Sequence, residues 1–234
     1  MLNAGLSAQD LAHHVEVDIK SVSRWVAEER VPHPGTRAKV ARVLNQQETF
    51  LWPSLLNGER PDEPVAVGCE RIWASRSRVT AETWHDLFNH THGRLDILVY
   101  AGGFLVETLD LADVIRTRSE SGVSVRVLIG DPASDAVQVR SIEEGIPWLP
   151  ERCRTTARYL AEVSCAAGVT IRAHGTTLYA SLYRFDDTIL VNAHTFGSWA
   201  CQSPVYLIRR HHDSGLFDYY DEAFQRVWDT VEKA

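Results

Sequence analysis

The sequence predicts two parts of different class: an all-α bundle over residues 1–56 and an α/β layered domain over residues 67–234, joined by a linker at 57–66. Three observations carry this. Short helical patterns fill the first sixty residues, and near-continuous apolar runs alternate with helical patterns after residue 67. Between them "NGERPDEPVA" combines Gly58, Pro61 and Pro64 with charges and has no apolar periodicity. The 234 residues suffice for a small and a medium domain.

In the first part, "SAQDLAHHVEV" places Leu11, Ala12 and Val15 on one helical face behind Ser7 as N-cap. Asp18 caps a second helix, "IKSVSRWVAEE", with Val22, Trp25 and Val26 inward and Lys20, Ser21, Ser23 and Arg24 outward. "VPHPG" breaks the chain. A third helix, "TRAKVARVLN", turns Val40, Val43 and Leu44 inward, and "QQETFLWPSLL" closes the bundle with Phe50, Leu51 and Trp52.

The second part begins with a strand in "AVGCERIWA" and a helix "AETWHDLFNHT" capped by Thr80. A buried strand "LDILVYAG", a helix "LDLADVIRTRSESG" and a second buried strand "VSVRVLIGD" follow. A long helix, "WLPERCRTTARYLAEVSCAAG", stops at Gly168, before a third strand "VTIRAHG". Residues 179–196 read as a hairpin around Asp186-Asp187, then come the strand "SPVYLIRRH" and a closing helix "FDYYDEAFQRVWDTVE".

Composition narrows the function classes. No apolar run approaches the roughly 20 residues of a membrane helix, and "MLNAGLSAQD" lacks the basic and apolar regions of a signal peptide. The scattered Cys69, Cys153, Cys165 and Cys201 form no C-x-x-C pair, so buried free thiols in a cytoplasmic chain are expected. His85, His90 and His92 lack metal-ligand spacing, His211-His212 reads as a loop pair, and neither metal nor cofactor is expected. The seven tryptophans sit at apolar helix or strand positions and are assigned to core.

The net charge of −7 is unevenly spread. Residues 1–60 hold seven basic and seven acidic side chains, so the whole excess lies beyond them. Between Lys20 and Arg42 six basic residues meet only Glu28 and Glu29. Any nucleic-acid contact therefore belongs to the first part, since the acidic remainder repels phosphates.

Two short helices joined by a tight turn, the second bearing small polar and basic side chains, form a helix-turn-helix arrangement. Lys20, Ser21, Ser23 and Arg24 are the candidates for base edges, and Arg37 and Lys39 for phosphates. The stretch also resembles the XRE (lambda-repressor-like) DNA-binding family over about 40 residues, through Leu6-Ser7, Asp10-Leu11-Ala12, Val17, Val22-Ser23-Arg24, Pro34 and Ala41-x-x-Leu44. Two features depart from that pattern. Glu16 stands where the family's turn carries glycine, and the family's first helix would lie mostly upstream of Met1.

Residues 67–234 resemble the phospholipase D-like fold, most recognisably in "GVSVRVLIGDP" and in the hairpin-plus-strand ending. The combination with an XRE-like head is similar to a group of actinobacterial regulators. Active phospholipase D-type enzymes carry His-x-Lys-x-x-x-x-Asp on this hairpin, whereas the same frame here reads Tyr179-Ala-Ser181-Leu-Tyr-Arg-Phe-Asp186. Phosphodiester cleavage needs a nucleophile, a proton donor and cations on the equatorial oxygens. The resemblance therefore implies a retained hairpin without the enzyme's chemistry, and a homodimer, because single-motif members of that fold pair two copies around the site. His174, Tyr179, Ser181, Asp186, Asn192 and His194 are the candidate lining of a residual pocket for a small polar or anionic ligand, with strand-end hydrogen bonding as the other role for the two histidines.

These observations predict a sequence-specific, DNA-binding transcriptional regulator acting on a pseudo-palindromic duplex site. Two other classes remain open at this level: a phosphodiesterase or nuclease rebuilt around His174 and His194, and an antitoxin-like interaction protein.

Overall fold

The computed structural model describes residues 6–27, 30–52, 55, 68–211 and 215–232. The chain divides into two compact units, Met1–Pro64 and Val65–Ala234. The expected linker at 57–66 lies outside the described residues.

The first unit is helical throughout its described residues: α1 (Ala8–His14), α2 (Ile19–Ala27), α3 (Pro34–Leu44) and the single turn α4 (Glu48–Leu51). Ser7 starts α1 through a capping box. Its hydroxyl accepts the Asp10 N–H at 3.1 Å, and the Asp10 carboxylate accepts the Ser7 N–H at 2.9 Å. Asp18 starts α2 by accepting the Lys20 N–H at 2.7 Å. Glu16, in the turn between them, takes the left-handed conformation with φ 59°, so the turn keeps its shape at the steric cost glycine would avoid. α3 begins two residues earlier than its periodicity suggests, because Pro34 fits the first helical position.

Leu11, Ala12, Val15, Val22, Val40, Leu44 and Trp52 make this unit's core. Two expected core residues are not in it. Val26, next to the last residue of α2, is 63% exposed. Phe50 is 70% exposed, since consecutive helical residues diverge by about 100° and one turn that seats Leu51 and Trp52 must send Phe50 outward.

The second unit is a seven-stranded mixed sheet flanked by helices. Its strands are β1 (Cys69–Trp73), β2 (Arg94–Val99), β3 (Ser124–Gly130), β4 (Val169–His174), β5 (Ala180–Phe185), β6 (Thr188–Ala193) and β7 (Val205–Arg209), in the order β1-β7-β6-β5-β2-β3-β4. β2, β3 and β4 run parallel, and every other neighbouring pair is antiparallel. The helices are α5 (Ala81–Asn89), α6 (Gly103–Glu107), α7 (Leu111–Glu120), α8 (Asp135–Glu143), α9 (Leu149–Ala161) and α10 (Gly215–Glu232). α6 and α8 fall on segments that sequence periodicity leaves unassigned, and α9 ends seven residues before the predicted stop at Gly168.

Strand alternation gives the sheet two unlike faces. On one, Trp84 of α5 and Phe104 of α6 meet Tyr183 edge-on, at ring-centroid distances of 5.0 and 6.0 Å. On the other, α10 lays Phe224 and Trp228 against the Arg126 guanidinium. Arg126 holds the fully buried Asp96 carboxylate at 2.7 and 3.1 Å, and Arg94 reaches it at 2.5 Å. Among the tryptophans, Trp148 and Trp199 lie outside the core, 51% and 42% exposed on the segments flanking α8 and following β6. Of the cysteines only Cys153 is buried, and its thiol is pushed up to about 12 by burial.

Asp186 joins the two halves of this sheet. At φ 49° in the β5–β6 turn, its carboxylate accepts the N–H groups of His92, Gly93 and Arg94 at 2.7, 2.9 and 2.7 Å, where β2 begins. A side chain at Gly93 would stand 3.1 Å from that carboxylate, so glycine admits the close approach. Burial raises the Asp186 pKa, but the three N–H bonds outweigh it and hold the carboxyl below its ordinary value. Asp186→Ala should lower unfolding free energy by about 3 kcal/mol, read from denaturant midpoints at neutral pH. Because the folded pKa is depressed, this contribution is present above the ordinary carboxylate range of about 4 and fades as pH falls through the folded value. The difference between wild type and variant should therefore narrow in acid.

Candidate functional site

The hairpin end opposite Asp186 holds a polar cluster. Ser181 on β5 shares its face with Tyr183, and β6 delivers His194 one residue past its end. Ser181 Oγ lies 3.0 Å from His194 Nε2, while His194 Nδ1 lies 3.3 Å from the Leu178 carbonyl. The consistent tautomer has Nδ1–H donating to that carbonyl and Nε2 accepting from the serine. Burial lowers the His194 pKa to about 4, with the positive charges of Arg140 and Arg76 adding to the effect against the Leu178 carbonyl. The imidazole is therefore neutral near pH 7.

These side chains border a cavity of about 120 Å³ at the carboxyl end of β2, where open α/β sheets commonly present ligand sites. Val99, Tyr100, Gly102 and Gly103 form its floor along the β2–α6 connection. Phe104, Ile146 and Leu149 add apolar wall, and Arg76, Glu144 and Arg152 supply charge. Glu144 is paired with Arg140, each side chain under a tenth exposed. Arg140 also donates to the Ser198 carbonyl at 3.4 Å, and Trp199 donates its indole N–H to the Glu144 carbonyl at 2.9 Å, tying α8 to the loop after β6.

Of the pocket residues expected from sequence, the structure brings Ser181 and His194 together and disperses the rest. Asp186 occupies the far turn of the hairpin, about 17 Å along the strand from Ser181 at 3.3–3.4 Å per residue. The Tyr179 side chain is 83% exposed, although its carbonyl accepts the His194 N–H at 2.8 Å. Asn192 is fully buried, donating to the carbonyls of Ser203 and Pro204 at 3.2 Å each. His174 is buried with its ring nitrogens spent on the backbone: Nε2 is 3.1 Å from the Val99 carbonyl, and Nδ1 accepts the Thr176 N–H at 3.3 Å. His174 and His194 are each packed against Tyr100, at centroid distances of 6.0 and 5.8 Å.

Arg76, Tyr100, Tyr183 and Glu144 line the cavity without having been singled out in the sequence. Tyr100 had one legible signal: it ends a buried parallel strand and precedes Gly102-Gly103. Among the described residues, no group of three His, Cys, Asp or Glu side chains could hold a metal ion.

In the first unit, Lys20, Ser23 and Arg24 are exposed on α2 and Ser21 is half-buried. Ser23 returns its hydroxyl to the Ile19 carbonyl at 3.1 Å. Arg37 meets Glu48 of α4 at 2.5 Å in a partly buried pair, whereas Lys39 meets Glu16 at 3.0 Å in an exposed one.

No protein-family model matches the sequence, and no curated protein matches it. Among solved structures, the chain is similar to TrmBL2, described as an archaeal chromatin protein showing a novel mode of DNA binding, with 16% identity and TM-score 0.45 over 90% of this chain and 65% of that one. It is also similar to Nuc from Salmonella typhimurium, a phospholipase D family member, with 12% identity and TM-score 0.40 over 62% and 83% of the two chains. Phosphatidylserine synthase of Haemophilus influenzae Rd KW20 aligns at 16% identity and TM-score 0.45, over 86% of this chain and 47% of that one. The chain thus spans about two thirds of TrmBL2 and about half of the synthase.

The neutral state of His194 gives the site a measurable pH signature. A histidine whose folded pKa lies below its unfolded value binds more protons when unfolded, so it subtracts stability as pH falls from about 6.5 towards 4. His194→Asn should flatten that limb. At pH 4, the drop from the pH 7 value should be about 2–3 kcal/mol smaller in the variant than in wild type, by urea denaturation at both pH values.

Proposed function

We propose that this chain is a sequence-specific DNA-binding transcriptional regulator. Its N-terminal unit is an XRE-like helix-turn-helix head, and the α/β unit is a phospholipase D-like domain that pairs with a second copy, senses a small ligand and does not cleave phosphodiesters. The observation that carries the reading is the α1–turn–α2 pair itself. A capping box, a left-handed turn at Glu16 and an Asp18 cap shape it, and α2 offers Lys20, Ser23 and Arg24 to solvent. Exposed lysine and arginine beside small hydroxyls suit the major groove, where arginine forks onto guanine.

Absence of hydrolysis is supported by the hairpin chemistry. Ser181 stands at the lysine position of the phospholipase D frame, so the cation that would neutralise an equatorial phosphate oxygen is missing at that position. His194, with a pKa of about 4, accepts a proton weakly at pH 7, well below the matching that general-base catalysis favours. His174 is committed to backbone partners, which argues against a hydrolase built on the two histidines.

Two experiments test the reading. On a duplex selected by the purified protein, Arg24→Ala should cost about 1–3 kcal/mol of specific binding and leave random-duplex affinity nearly unchanged. Lys39→Ala should weaken both equally and reduce the salt slope by about 1, since its exposed pair with Glu16 breaks at little cost. Equal losses on both duplexes for Arg24→Ala would remove it from base reading. In sedimentation at micromolar concentration the full chain should run as a dimer, and a strictly monomeric mass would overturn the pairing.

A further inference from the structure

The cavity beside the Ser181–His194 bond has one guanidinium that no carboxylate pairs directly. Its lining includes two arginines and one carboxylate. Arg152 reaches Glu107 at 3.4 Å, and Glu144 is taken by Arg140 from outside the lining. Arg76 is left half-buried, its guanidinium carbon 4.0 Å from the Phe104 ring centre, with no carboxylate in ion-pair range among the described residues. Next to it, the hydroxyl of the fully buried Tyr183 makes no hydrogen bond of good geometry among the described residues. Ser181 and Arg76 are its nearest polar neighbours: the charge of Arg76 and loose hydrogen bonding to both pull that phenol's pKa down, although burial outweighs them and raises it. A buried phenol without a well-formed hydrogen bond, beside a guanidinium without a direct carboxylate partner, offers two donors to one incoming acceptor.

We propose that this cavity binds a small monocarboxylate, its two oxygens shared between the Arg76 guanidinium and the Tyr183 hydroxyl and its apolar remainder against Val99, Ile146 and Leu149. Charge counting favours a carboxylate over a phosphate. One guanidinium without a direct carboxylate partner suits one negative charge, and a second is lacking because His194 is neutral, Arg140 is held by both Glu143 and Glu144, and Glu144 also attracts Arg76. Size agrees: a cavity of about 120 Å³ is well below the range of drug-sized sites, about 300–1,000 Å³, and suits a ligand of few heavy atoms. The inference deepens the sensing role proposed above, and rests on that reading only for any consequence on DNA.

Isothermal titration of the full chain, without DNA, tests it with butyrate, benzoate, butyramide and inorganic phosphate. Butyrate or benzoate should bind, and butyramide, matched to butyrate in shape but neutral, should bind at least about tenfold more weakly. Arg76→Gln should weaken the carboxylate about tenfold or more, and the nearly isosteric Tyr183→Phe about threefold to tenfold, each with an unchanged unfolding transition. Absence of binding by both carboxylates would overturn the proposal. So would phosphate binding as tightly as butyrate, equal affinity for butyramide, or full affinity in Arg76→Gln. Because no DNA is present, failure here leaves the DNA-binding reading standing, and failure of specific DNA binding leaves this result untouched.

Discussion

The carboxylate of Asp186 is the constraint on which the α/β unit depends. β2 is the seam of the sheet, parallel to β3 on one side and antiparallel to β5 on the other. Three N–H groups at its start have one acceptor in common, set in the hairpin turn. That contact fixes the β2–β5 register, Leu95 opposite Phe185 and Ile97 opposite Tyr183. A slip of one residue would turn Ser181 and Tyr183 to the α10 side and dismantle the cavity. An aspartate at this place therefore shapes the site without touching it.

The sheet's other face is held differently. Asp96 is buried between Arg94 and Arg126, and Arg184 meets Asp221 of α10 at 2.5 Å. Arginine stems and planar heads fill the space that aliphatic side chains occupy on the opposite face, with Phe217, Phe224 and Trp228 stacked on them. A buried ion network of this kind adds little net stability over an apolar core, and removing one member leaves the others unpaired at high cost. It ties α10 to particular strands through directional bonds, and so orders the layer more narrowly than apolar contact would.

The layered architecture was legible because its signals are local. Buried strands read as apolar runs, and Ser7, Asp18 and Thr80 mark helix starts by the hydroxyl or carboxylate that satisfies an unpaired N–H. α8 was not legible, because its inward positions are Val137, Arg140, Ser141 and Glu144: helical spacing with polar residues inside, while Val139 and Ile142 face out. The same burial that hid the helix builds the cavity's charged wall. Linear spacing also misled at the hairpin, where Tyr179, Ser181 and Asp186 share a motif frame but the extended strand carries Asp186 to its far end. Arg76 belongs to no pattern; only the folded chain brings it beside Phe104 and Tyr183.

The strand order also governs how this unit is made. β1, the first strand of the unit in sequence, pairs with β7, about 135 residues later, so it has no partner until nearly the whole domain has left the ribosome. At typical elongation rates, about 5–20 residues per second, that wait is on the order of ten seconds, long compared with hairpin closure in microseconds. A nascent strand in that position invites pairing with other chains. β1 is poorly suited to it: Glu70 and Arg71 place charges at its centre, and the register is broken between Cys69 and Arg71. The irregular, charged strand that blunts one edge of the finished sheet is thus also a poor template for pairing with other chains while its partner is still being synthesised.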